Sequence, residues 1–382
     1  MLVTEILKKL VSFPVLGGQS NLAIIEWIAE YLEDYGVKYT YVPNEDGSKK
    51  SLHCRIGPAV DGGVILSGHT DVVPVEGQDW STNPWELTER KGLLYGRGSC
   101  DMKGFIACCL AAVPEMVKAD LKKPIYFAFS YDEEVGCLAG PALAAAINTD
   151  YEETPKYAII GEPSMMQPIV GQKSIAIYRT HVKGSAGHSS RIKTEVSSIH
   201  EVAKLITWLE DKMNALIDAG QTDDRFVPNH TSLHSGIVKG GIAPNVIADQ
   251  AYFEWDCRTI PKDDPHQIFQ DFQDHCAARE KELQTIFPEA AITTEIVHPV
   301  VPALDTPEHL EVVDLIKKLS GNEHLQTVAY AAEAGQFSNA GFQSVICGPG
   351  DIAQAHRKDE FISVDQLEKG VHFIRRVIAA FS

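Results

Sequence analysis

Four short apolar stretches of this 382-residue chain run directly into acids or histidines, and that arrangement narrows the possible folds more than any other feature. VILSG (64–68) leads to His69 and Asp71, PIYFAFS (124–130) to Asp132, Glu133 and Glu134, YAIIG (157–161) to Glu162, and SVICGPG (344–350) to His356. Short apolar runs without polar alternation suit strands buried on both faces, which arise where helices cover a sheet from either side. Stretches with helical apolar spacing supply such covers: NLAIIEWIAEYL, MKGFIACCLAAVPEMV and the closing VDQLEKGVHFIRRVIAAF. The alternation predicts an α/β sheet flanked by helices.

The middle of the chain has another rhythm. IAIYRTHVKG (175–184) alternates like a half-exposed strand, and residues 195–219 form a long amphipathic helix. TSLHSGIVKG and VIADQAYFEWDCR follow as strands, then a helix over DPHQIFQDFQDHCAARE and a strand AITTEIV. This β-α-β-β-α-β order is ferredoxin-like. It predicts an α+β domain at 171–299, inserted into a larger α/β domain made of 1–170 and 300–382.

Ligands of open α/β sheets bind beyond the carboxyl ends of the strands, so the terminal acids and histidines could converge. Asp101, in GRGSCDMKG just before a helix, is a further candidate. Each residue alone has an ordinary explanation: a hydrogen-bonded histidine, acids at a helix N-terminus, or a turn at Glu162–Pro163. Together they point to metal. Imidazoles and several carboxylates cannot share a pocket as bare charges, and divalent ions remove the conflict. Nitrogen and oxygen donors without cysteine suit Zn²⁺, with Co²⁺ or Mn²⁺ as alternatives. Five ligands exceed the usual three of a catalytic zinc and suit two ions sharing a carboxylate.

Composition removes other classes. A formal net charge of −18 with no basic patch excludes nucleic-acid binding. No apolar run approaches the roughly 18 residues that span a bilayer. Eight cysteines are scattered, with no CxxC pair, which is neither a disulfide framework nor a thiolate zinc knuckle and fits a reducing cytoplasm. MLVTEILKKLVSF has helical spacing and no cleavage-site pattern, so a helix is expected there instead of a signal peptide. GxSxG, HExxH and GxxxxGK are all absent.

SGHTDVVP, GRGSCDMKG, SYDEE, GEP and CGPGDIAQAH, in this order and at these separations, resemble the metallopeptidase M20 family of co-catalytic zinc amidohydrolases. The resemblance covers essentially the whole chain. It implies a zinc-peptidase-like catalytic domain, a mixed sheet covered by helices, with the insertion serving as a dimerisation (lid) domain. It also implies two Zn²⁺ per subunit, with Co²⁺ possible: Asp101 bridges them, His69 and Glu162 complete one site, and Glu134 and His356 complete the other. Glu133 matches the general base and Asp71 the residue that orients the His69 ring. His188, in GSAGHSS, would reach the active site of a neighbouring subunit, so a homodimer is expected. Asn245 and Arg258 would contact substrate, Arg258 with its fork on an α-carboxylate.

The reaction implied is hydrolysis of a small N-acyl amino acid by water. The stretch YAAEAGQFSNAGFQSVICGPGDIAQAHRKDEFI resembles members acting on N2-acetylornithine, and Glu333 is a candidate partner for the ornithine ammonium. Succinyl-diaminopimelate and other acyl amino acids, acetylcitrulline among them, are the alternative substrates. A metal-binding protein without catalysis is the alternative of another class.

Overall fold

The computed structural model describes all 382 residues and divides into two compact units. The first comprises Met1–Gly171, Leu304–Thr327 and Ala332–Ser382; the second comprises Gln172–Ala303 and Val328–Ala331.

A nine-stranded mixed sheet organises the first unit. Its main path runs Tyr39–Pro43, Lys50–Ile56, Ile125–Ser130, Val64–His69, Tyr157–Pro163, Gln343–Gly348, Ile169–Gln172, Leu304–Asp305. The central strands Ile125–Ser130, Val64–His69, Tyr157–Pro163 and Gln343–Gly348 are mutually parallel. Val64–His69 and Ile125–Ser130 are buried at every residue, as their unbroken apolar character predicts. Burying a side chain such as Leu66 or Phe127 stabilises the fold by about 1.5–3 kcal/mol.

The helix Lys103–Met116 packs between the N-terminal helix Val3–Val11 and the C-terminal helix Val364–Phe381, which explains why it is apolar on almost every side. Ser363 caps the last of these by accepting the Gln366 N–H. The sequence pattern also passed over several elements. A helix spans Gly140–Asp150, and a small sheet joins Thr88–Arg90, Leu93–Tyr95 and Phe361–Ser363.

Parallel register brings the strand ends level. His69 sits opposite Ser130, Ser67 opposite Ile160, and Gly348 opposite Pro163. Residues just past these ends therefore share one edge of the sheet.

The second unit is a four-stranded antiparallel sheet, ordered Ser232–Gly240, Gln250–Arg258, Ile175–Lys183, Ala291–Val301. Alternate residues of Ile175–Lys183 and Gln250–Arg258 are buried. Tyr178, Phe253 and Trp255 pack there with Leu205 and Leu209 of the helix Ser198–Asp218 and Phe272 of the helix Pro265–Gln284. Trp255 satisfies its indole N–H on the Thr180 hydroxyl at 3.1 Å. Ser197 and Asp264 cap the two helices with their side chains, so the first begins later than residue 195.

Candidate metal centre

Six side chains meet at the level edge of the large sheet. His69 ends its strand, Glu133 and Glu134 follow Ile125–Ser130, and Glu162 lies near the end of Tyr157–Pro163. Asp101 precedes the buried helix, and His356 follows Gln343–Gly348 across a short 3₁₀ turn at Ile352–Gln354. Gly161 sets how closely this edge packs: a Cβ there would lie 2.1 Å from the Phe105 ring.

Asp101 sits between the two histidines. Its Oδ1 is 3.1 Å from His69 Nε2, and its Oδ2 is 3.5 Å from His356 Nε2. Glu134 Oε2 is 3.0 Å from His356 Nε2, while Glu162 Oε1 and Glu133 Oε2 lie 3.9 and 4.0 Å from His69 Nε2. The groups His69–Asp101–Glu134 and His69–Glu133–Glu162 each place three ligand atoms within 4.8 Å of one another.

The His69 ring tests whether a cation fits. Nδ1 lies 2.8 Å from the Asp71 carbonyl oxygen, which can only accept, so Nδ1 carries a proton. In the neutral ring Nε2 then presents a lone pair to the Asp101 carboxylate. Two acceptors facing at that distance need a proton or a metal ion between them.

The charges of the cluster make the same demand. Burial first, with Glu134 and Asp101 behind it, pushes the Glu133 carboxyl up to about 8 against the pull of His69. Burial and then Asp101 raise Glu134 to about 7, and the same pair of causes holds Glu162 well above the carboxylate range. Hydrogen bonds to Asp101 and Glu134 raise His356 to about 10. Burial opposes protonation of His69, yet the Asp101 hydrogen bond and the charges of Glu133, Glu162 and Asp71 hold it well above an ordinary imidazole. Without metal the cluster takes up protons. Divalent cations would replace them, and the oxygen and nitrogen donors suit such ions.

Asp71 works differently from the expectation. Its backbone carbonyl, not its carboxylate, orients His69; the nearer carboxylate oxygen is 3.7 Å from Nδ1. The carboxylate instead accepts the backbone N–H groups of Glu133 and Glu134, each at 3.2 Å. Asp71 thus ties the His69 strand to the segment that carries Glu133.

Glu333 is enclosed in the fold. It is 1% exposed, at the start of the helix Ala334–Asn339, and one carboxyl oxygen has no hydrogen-bond partner. Burial pushes this carboxyl up to about 7.

His188, Asn245 and Arg258 belong to the second unit. His188 is exposed with Nδ1 2.8 Å from the Ser190 hydroxyl, and the Asn245 carbonyl accepts the Ser189 N–H. Arg258 ends its strand, 3.9 Å from the Asp256 carboxylate.

Two supporting groups escaped the sequence reading. Glu360, fully buried, accepts Arg97 Nη1 at 2.8 Å and the backbone N–H groups of Gly98, Cys100 and Asp101 at 2.9–3.0 Å. Its place within RKDE reads as a solvated charge run, and no pattern pairs it with Arg97. The buried Cys137 thiol donates to Glu133 Oε1 at 3.2 Å. Burial raises this thiol well above its ordinary pKa, so it stays a donor. Removing one hydrogen bond of about 1 kcal/mol slows turnover roughly fivefold. If Glu133 acts as a general base, Cys137→Ala should therefore lower kcat by about that factor at nearly constant KM, and Cys137→Ser should recover most of it. Equal kcat in all three proteins would show that the contact does not position Glu133.

A mixed α/β sheet that gathers these imidazoles and carboxylates at its parallel strand ends defines a metal-dependent hydrolase. Residues 65–380 match the model of peptidase family M20/M25/M40. An acetylornithine deacetylase of Proteus mirabilis is 32% identical over 387 residues, covering 99% of this chain and 96% of that protein. An M20 family metallo-carboxypeptidase of Sulfolobus solfataricus superposes with a TM-score of 0.78 at 18% identity, over 100% of this chain and 99% of that one. A dinuclear metal-binding M20 peptidase of Bacillus subtilis does so with a TM-score of 0.63 at 14% identity, over 99% and 97%. The chain belongs to peptidase family M20/M25/M40.

Proposed function

We propose that the protein is a di-zinc amidohydrolase that removes the acetyl group from N2-acetyl-L-ornithine, giving L-ornithine and acetate for arginine biosynthesis. The observation that carries the chemistry is Asp101 set between His69 and His356 with Glu133 beside them. Support for the substrate comes from the deacetylase relative, aligned over 99% of the chain. Eight free, buried cysteines accord with a reducing cytoplasm, and no helix is long and apolar enough to cross a membrane.

His69 and Glu162 would hold one ion and Glu134 and His356 the other, with Asp101 shared by both. When bound, such ions acidify water and polarise an acyl oxygen. Cobalt is the alternative metal. Glu133 takes a proton from the attacking water as its oxygen bonds to the acyl carbon. When the C–N bond breaks, Glu133 passes that proton to the leaving nitrogen, so amine and acetate depart. Asp71 and Cys137 hold the segment and side chain of Glu133 in place. In the same reading Arg258 takes the substrate α-carboxylate and Asn245 a neighbouring polar group. His188 stabilises the developing oxyanion across a homodimer built on the second unit.

The test is amine release by zinc- or cobalt-loaded protein from N-acetylornithine, N-acetylcitrulline, N-succinyl-diaminopimelate, N-acetylmethionine and a dipeptide. Chelator-sensitive turnover with acetylornithine preferred is expected. Preference for another substrate would retain the chemistry and discard the assignment, whereas metal binding without turnover of any would discard both.

A further inference from the structure

On the C-terminal helix Val364–Phe381, Lys369, His372 and Arg376 recur at helical spacing and line one cavity of about 520 Å³. Its apolar surface comes from Met165, Met166, Leu319 and Phe373, and Ser320 and Asn322 add small polar groups. No carboxylate lines it, although the chain carries 52 acids against 34 lysines and arginines.

The basic groups are only partly engaged. Lys369 pairs with Asp365 at 2.8 Å, and Arg376 donates one N–H to the Leu319 carbonyl at 2.9 Å. Arg376 and His372 have no carboxylate within ion-pair distance. Guanidinium is always charged and offers donors in a fork that matches a carboxylate.

The floor of the cavity is specially shaped. Met165 and Met166 are consecutive non-glycine residues in the left-handed region, at φ 55° and 60°. Met165 N–H donates to Gly350 O at 2.7 Å and Met166 N–H to Gly348 O at 3.0 Å. Gly350 N–H in turn donates to the buried Gln366 side chain. The hollow beside this lattice is lined by both thioethers and cations. Non-glycine residues persist in such conformations where surrounding contacts fix them.

We infer that this cavity is a binding site for a small organic anion, its carboxylate on Arg376 with His372 and Lys369 nearby and its apolar body against Met165, Met166 and Phe373. The site is separate from the proposed hydrolysis and rests on none of its steps.

Benzoate is a suitable probe, because it joins one carboxylate to a flat apolar body. Titration into the full chain carrying ¹³C-methyl methionine should shift Met165 and Met166 saturably. Benzyl alcohol, with the same ring and no charge, should bind at least tenfold more weakly. Arg376→Gln and the surface substitution His372→Glu should each weaken benzoate at least tenfold while leaving the other methionine signals in place. The second variant keeps the test open if loss of the Arg376–Leu319 bond disturbs the fold. No saturable shift, shifts equal in both variants and wild type, or shifts confined to Met102 beside Asp101 would each overturn the assignment.

Discussion

Glu133→Gln is expected to lower kcat on the preferred acyl amino acid by about 10²–10⁴-fold, the usual contribution of a positioned general base. The substitution keeps the shape of the side chain and can still accept the Cys137 thiol hydrogen, so the loop should hold its form. What disappears is the ability to take a proton from water. The prediction also separates two roles, because Glu133 Oε2 lies only 4.0 Å from His69 Nε2 and groups with His69 and Glu162. A base that does not ligate leaves the metal content unchanged when it becomes an amide. Metal analysis and steady-state kinetics on the same preparation read both. Full metal with lost turnover supports the base. Lost metal together with lost turnover makes Glu133 a ligand, and activity within tenfold of wild type removes it from the chemistry.

Glu360→Ala should destabilise the folded protein by about 3–5 kcal/mol, since it leaves a buried Arg97 guanidinium without its counter-charge. Three backbone N–H groups around Asp101 lose their acceptor at the same time, and buried donors without partners are costly. Burial and then the neighbouring Asp101 hold the Glu360 carboxyl above its ordinary pKa, against the pull of Arg97 and those N–H groups. Charge removal alone would relieve that tension, so Glu360→Gln should fall between wild type and alanine. Urea denaturation measures the stability, and zinc affinity measures whether the Asp101 loop stays in place. An alanine variant within about 1 kcal/mol of wild type would show that water or rearrangement compensates for the carboxylate.

The parts of the centre that could be read from the sequence are those that follow strands. His69, Glu134, Glu162 and His356 each stand just beyond an apolar run, and parallel register carries such positions to one edge. Asp101 was visible from its place ahead of an apolar helix. Glu360 and Arg97 were not, because their pairing depends on a small three-stranded sheet made of very short, partly exposed strands with no clear alternation. In the sequence Cys137 is one of eight scattered cysteines; only its position one turn from Glu133 in the folded loop gives it a partner. The helix Gly140–Asp150 was missed for another reason. Its alanine-rich sequence buries few large side chains and shows little periodic contrast. Whether Asp71 faces His69 with its carbonyl or its carboxylate depends on the Glu133 and Glu134 N–H groups, which come from the loop after another strand.

The contact between Glu360 and the Asp101 backbone spans 259 positions. A chain made at about 5–20 residues per second therefore leaves Asp101 waiting roughly 10–50 s before its anchor is synthesised. His356, four positions earlier, arrives at almost the same moment. A nascent chain stalled before this point would carry His69, Asp101, Glu134 and Glu162 without the clamp that fixes their spacing. A protein truncated short of residue 356 would lack both His356, one of the proposed ligands, and the Glu360 anchor.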